Sequence, residues 1–176
     1  MVLNKKQTKQ IEIGTIKNAI FQSFDNGPKM ETKFFPYQKS YSKTKIIKEV
    51  TIFTDSRIDK ATIKIHFYSV SENGFPGTEL LTKDFVVSLK KGILRHTFDV
   101  ADFDMVFPEN GIFVAVEKLF IESNKTGTKY QPYILYNFVE RDFFYTYSYG
   151  KWNKQEAKLE QKLQINEPSI NLILSN

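Results

Sequence analysis

Residues 61–68 read A-T-I-K-I-H-F-Y, with Ala61, Ile63, Ile65 and Phe67 alternating against Thr62, Lys64, His66 and Tyr68. A period of two sends the first set to one face of an extended chain and the second set to the other, so the stretch is a β-strand with Ile63 and Ile65 turned to a core. Segments around it repeat the pattern. Ile46–Thr54 (I-I-K-E-V-T-I-F-T) is rich in β-branched residues, and Asp84–Leu89 sends Phe85, Val87 and Leu89 one way. In Ile93–Val100 the apolar set passes to Leu94, Phe98 and Val100. The intervening Lys90-Lys91-Gly92 fits the turn of a hairpin between those two runs. Gly111–Ile121 (G-I-F-V-A-V-E-K-L-F-I) is apolar on both parities, as in a strand that is covered on both faces and central in its sheet.

The joints between these runs are turn chemistry. In S-E-N-G-F-P-G-T-E-L-L (residues 71–81), Asn73-Gly74 tolerates positive φ and Pro76-Gly77 suits a type II turn, which makes the segment a double corner. Phe75 between the two turns either packs the corner onto the end of the fold or offers a ring to a ligand, and the packing role is the favoured reading. Phe107-Pro108-Glu109-Asn110-Gly111 is a similar corner leading into the central strand. Further strand runs are Ile11–Ile16, Tyr133–Val139, Phe143–Tyr149 and the alternation of Ile170, Leu172 and Leu174. The predicted fold is all-β: a single antiparallel β-sandwich, jelly-roll-like, of about eight or nine strands with little helix. Helical spacing occurs only in Asn153–Gln164, where the apolar stripe is thin, so residues 153–168 read as a surface linker or a short helix. Residues 1–10 read as flexible.

A chain of 176 residues holds one well-buried core, and residues 1–176 are expected to form one domain. Hydrophobic residues at 41% and aromatics at 15% exclude a mainly disordered chain. The net charge of +5 comes from lysines scattered as Lys5-Lys6, Lys43 with Lys45, Lys90-Lys91 and Lys151 with Lys154, with acids between them. That spacing belongs to a solvated surface rather than to a continuous basic-aromatic groove, so nucleic acid is not an expected partner. The absence of cysteine removes disulfides, thiolate metal sites and thiol nucleophiles. Met1–Gln10 lacks an apolar signal-peptide core, and no later window is long and apolar enough to span a membrane.

Candidate catalytic groups are few. His66 and His96 each sit in a strand outside any familiar motif. Asp99, Asp102 and Asp104 carry oxygen ligands without the spacing of a calcium loop, and Asp102 reads as the start of a turn. Glu117 and Glu122, five apart, face opposite sides of a strand, which argues against a paired-carboxylate couple. No nucleophile elbow, zinc-protease helix or phosphate loop occurs. The expectation is a non-enzyme with no cofactor and no metal. The remaining feature is F-F-Y-T-Y-S-Y-G-K-W (residues 143–152), in which Tyr145, Tyr147 and Tyr149 are expected on one strand face with Trp152 after Gly150. Such a run is a platform on which sugar rings stack, or a core edge with its hydroxyls at the wet rim.

Four segments taken together carry a resemblance. They are F-Y-S-V-S-E-N-G-F-P-G-T-E-L-L (67–81), V-S-L-K-K-G followed by F-D-V-A-D-F-D, F-P-E-N-G-I-F-V-A-V-E-K-L (107–119), and Y-S-Y-G-K-W (147–152). The chain, from about Glu12 to Trp152, resembles the C-terminal β-sandwich region of carboxypeptidase-like regulatory-domain proteins of the Bacteroidota cell surface. In that family the region follows a signal peptide and a small regulatory-type sandwich domain, so the resemblance implies an excised or processed domain from the cell envelope, in the periplasm or at the cell surface. It implies an accessory module and no peptidase activity. Two functions are therefore expected as alternatives: a non-catalytic docking module that binds a protein partner or stabilises an envelope assembly, and a carbohydrate-binding module using Tyr145, Tyr147, Tyr149 and Trp152.

Overall fold

The computed structural model describes residues 8–14, 19–20, 29–157 and 164–176. The first part of the chain forms β1 (Gln10–Ile13), β2 (Ala19–Ile20), β3 (Met30–Phe35), β4 (Ile46–Ser56), β5 (Ala61–Val70), β6 (Pro76–Glu79), β7 (Val86–Leu89), β8 (Gly92–Asp99) and β9 (Ile112–Lys118). The second part forms β10 (Lys125–Thr126), β11 (Lys129–Tyr130), β12 (Tyr133–Ile134), β13 (Tyr136–Glu140), β14 (Phe143–Ser148), β15 (Lys151–Glu156), β16 (Gln164–Pro168) and β17 (Ile170–Ser175). All strand pairs are antiparallel. The fold is an all-β sandwich.

One layer is a seven-stranded sheet in the order β15-β14-β3-β9-β5, with β6 and β7 sharing the far edge of β5. The other is a five-stranded sheet in which β4 pairs with β17, β12 and β8, and β17 pairs with β1. Through Leu135 and Ser169, β12 and β17 adjoin β13 and β16, which form a three-stranded sheet with β2. The chain passes repeatedly from one layer to the other, as β3, β4, β5 and again β7, β8, β9 do. Ile47, Val50 and Ile52 from one layer meet Ile63, Ile65, Phe67, Val114 and Val116 from the other, all shielded from solvent.

β9 lies between β3 and β5 and is buried at every position, as its two-sided apolar pattern requires. Gly111 starts it with φ +89°, and a Cβ there would lie 2.7 Å from the Phe34 ring and 2.8 Å from the Phe35 carbonyl oxygen, so only glycine fits.

β7 and β8 do not form a hairpin: β7 pairs with β5 and β8 with β4, so Lys90-Lys91-Gly92 is a crossing between layers. Alternation marks a strand but carries no record of its partner. Pro76-Gly77 is not a turn but the start of β6; Gly74 alone takes the positive φ, at +80°, while Phe75 packs its ring 4.7 Å from Tyr145 and ties the corner to β14. Residues 153–168 are not a helix where the structure describes them: the end of Lys151–Glu156 and all of Gln164–Pro168 are strands, paired with β14 and β13. Of the segment expected to be flexible, Gln10 opens β1, while residues 1–7 lie outside the described residues, as do residues 158–163.

Candidate functional site

Antiparallel neighbours share a face, and the registers therefore define what the seven-stranded sheet presents on the side away from the core. Met30 pairs with both Tyr147 and Glu117, Glu117 with Lys64, Tyr147 with Trp152, and Tyr68 with both Glu79 and Phe113. His66 lies between Lys64 and Tyr68 on that same face of β5. The outer face thus assembles His66, Tyr68, Glu79, Glu117, Tyr147 and Trp152 from five strands.

His66 is clamped. Its Nδ1 lies 2.6 Å from Glu79 Oε2 and its Nε2 2.8 Å from Glu117 Oε2. Each ring nitrogen therefore faces a carboxylate oxygen, and neither is left open toward a ligand. Each carboxylate is held by a second donor: Glu79 accepts the Phe67 backbone N–H at 3.0 Å, and Glu117 lies 2.9 Å from Lys29 Nζ. Burial pushes the Glu117 carboxyl upward, but the hydrogen bonds from Lys29 and His66 outweigh it and hold the group below its ordinary value. Tyr68 stacks on the imidazole at 5.6 Å, and burial together with the Glu79 carboxylate drives its hydroxyl pKa up.

Trp152 stands edge-on between two tyrosines, 5.3 Å from Tyr68 and 5.1 Å from Tyr147, with interplanar angles of 80° and 70°. All three rings are half-buried. On the other side of His66, Lys64, Glu79, Thr82, Lys83 and Asp84 border a cavity of about 110 Å³, where Lys64 and Asp84 form an ion pair of 2.7 Å. That volume holds a few waters or one small polar group.

The four aromatics expected to share one platform are divided. Tyr147 and Trp152 are cross-strand neighbours on the outer face. Tyr145 shares the face but is buried beneath Phe75, Phe113 and Phe143. Tyr149 is off the strand: Tyr149-Gly150 forms the two-residue turn of the β14–β15 hairpin, with φ values of 52° and 76°, and leaves the Tyr149 side chain 99% exposed. Glu117 meets His66 and Lys29 rather than Glu122, which is exposed and pairs with Lys125. Asp99 caps a turn through the Ala101 N–H at 2.7 Å. Burial lowers the His96 pKa. Glu79 is hidden from sequence reasoning because it lies in a turn-like stretch, and only the β5–β6 pairing brings it to His66.

A second ionic cluster lies inside the fold, where β16 meets the core face of β3. Lys33 reaches Glu167 at 3.5 Å and donates to the Gly14 carbonyl at 2.7 Å; Arg141 reaches Glu167 at 3.1 Å. Glu31 accepts from the Tyr136 hydroxyl and faces Lys118 at 3.7 Å. Burial pulls the Lys33 amine down to about 8, and Glu167 opposes that fall. Lys33, Glu31 and Glu167 have almost no solvent exposure, and the cluster fastens β16 to β3.

Comparison of the chain with protein-family models, curated proteins and solved structures finds no match. Among the described residues, no helix is long and apolar enough to cross a membrane. Fold and site together define an all-β sandwich whose larger sheet presents aromatic rings and hydrogen-bonding carboxylates on its outer face.

Proposed function

We propose that the chain is a non-catalytic binding module of a cell-envelope or surface protein, and that the outer face of the seven-stranded sheet takes a glycan. The carrying observation is Trp152, set edge-on between Tyr68 and Tyr147 on the face that also holds the Glu117–His66–Glu79 bridge. A sugar ring has an apolar C–H face and a rim of hydroxyls, and such a surface offers a ring for the first and the partly exposed Glu79 carboxylate for the second. The perpendicular rings make a ridge rather than a flat plane, which suits one sugar unit or a chain end better than a flat polysaccharide. The occupied nitrogens of His66 favour ligand positioning over proton transfer. The envelope location rests on the resemblance of residues 12–152 to surface-protein sandwich regions.

The test is glycan-array retention with Trp152→Ala and Tyr147→Ala. Losing a stacking anchor costs about 2 kcal/mol, roughly thirtyfold in affinity. Retention by the wild-type chain and its loss in both variants, at nearly unchanged melting temperature, supports the reading. No glycan retained by the wild type, with both variants melting lower, returns the rings to a packing role and favours the docking-module alternative.

A further inference from the structure

β8 is a free edge: it pairs with β4 on one side and, among the described residues, with no strand on the other. The Val100 N–H donates to the Lys48 carbonyl at 2.8 Å, so by alternation Arg95, Thr97 and Asp99 turn their backbone N–H and C=O groups outward. Natural sheets guard such an edge with charged side chains, proline or a bulge; β8 has neither proline nor bulge, and the charges it carries are Arg95 and Asp99. It leaves Ile93 53% exposed and Leu94 39% exposed.

The charges on this strand are unbalanced within one chain. Asp99 stands directly across from Glu49, a like-charge pair, and neither forms an ion pair among the described residues. Arg95, four residues earlier on the same face, has no carboxylate partner among them and rests over the Phe53 ring at 5.0 Å. Two copies of β8 run antiparallel about an axis through Thr97 correct both faults at once, since Arg95 of each copy then faces Asp99 of the other. This register pairs residues of equal parity, so the outer faces of the two sheets continue into each other. It also matches outward N–H groups with outward carbonyls and places Ile93 and Leu94 against the 100–101 stretch of the second copy.

We propose that β8 is a self-association edge and that its partner is a second copy of this chain, joined through β8 with two reciprocal Arg95–Asp99 pairs. The inference is independent of the glycan face, which lies on the other layer. It is tested by sedimentation equilibrium on the full chain and on Arg95→Asp and Asp99→Arg, with circular dichroism checking each fold. The wild type should move from 20.6 kDa toward twice that mass with rising concentration. Each single reversal should weaken dimerisation by at least about tenfold, because it sets like charges across the axis. An equimolar mixture of the two variants should dimerise again. The Arg95→Asp chain carries an acid at both positions and the Asp99→Arg chain a cation at both, so every facing pair in the mixed dimer is of opposite charge. A wild type that stays monomeric, a dimer indifferent to either reversal, or folded variants that fail to recombine would each overturn the proposal.

Discussion

Glu167→Gln keeps the shape of a fully buried side chain and deletes the charge that neutralises Lys33 and Arg141. Arg141 retains 27% side-chain exposure and can turn toward water, whereas Lys33, at 2%, cannot. Burial, opposed by Glu167, leaves the Lys33 amine losing its proton near 8. Keeping it charged at pH 7 therefore already costs on the order of 3 kcal/mol relative to an ordinary lysine. Without Glu167 that cost climbs until the amine sheds its proton, a ceiling of roughly 5 kcal/mol at pH 7, so Lys33 contributes on the order of 1 to 2 kcal/mol of new destabilisation. The lost Arg141 pair adds about 1 kcal/mol, for a total of roughly 2 to 3 kcal/mol, near the low end for breaking a buried ion pair. Urea unfolding followed by the fluorescence of Trp152 measures it, with an unchanged slope on denaturant. The pH dependence has a definite sign. Lys33 titrates lower folded than unfolded, so the stability linked to it is lost as pH falls from the unfolded value toward about 8 and regained as pH rises again. The deficit of Glu167→Gln should accordingly shrink to about 1 kcal/mol near pH 9.5. Equal midpoints at pH 7, or a deficit that grows with pH, would refute the reasoning.

Gly111→Ala should destabilise the fold by about 3 kcal/mol, since it combines a positive φ with a Cβ driven into Phe34 and the Phe35 carbonyl; a melting curve within error of wild type would show that the corner can relax. Glu117 is held below its ordinary value, so its contribution is complete above the unfolded carboxyl pKa and is lost as pH falls through the lowered one. Melting temperatures taken from about pH 6 down into the acid range should therefore show Glu117→Gln less stable than wild type at the upper end, with the gap narrowing as pH falls, and a gap that widens toward acid would contradict the assignment.

Much of this architecture is legible in the sequence because burial on one face imposes a period of two. Ala61–Phe67 and Ile112–Lys118 announce themselves as core strands, and Gly111 marks the place where backbone crowding admits no side chain. The period says which residues share a face but not which strand lies beside them. Met30–Phe35 carries Glu31 and Lys33 on its core side, a pattern that reads as solvated until β16 and β13 supply Glu167 and Tyr136 from more than 100 residues away. The hairpin expected at Lys90-Lys91-Gly92 does not form for the same reason, since both flanking strands have better partners in β4 and β5. At the candidate site, Tyr147 and Trp152 are visible as an aromatic run, and the departure of Tyr149 from their face follows from a turn placed one residue earlier than the alternation suggests. The joining of His66 to Glu79 and Glu117, 13 and 51 residues away, belongs to tertiary structure alone. Side-chain periodicity is a local property of one strand, whereas ion pairs across a sheet depend on register, and register is set only when the whole sandwich closes on its core.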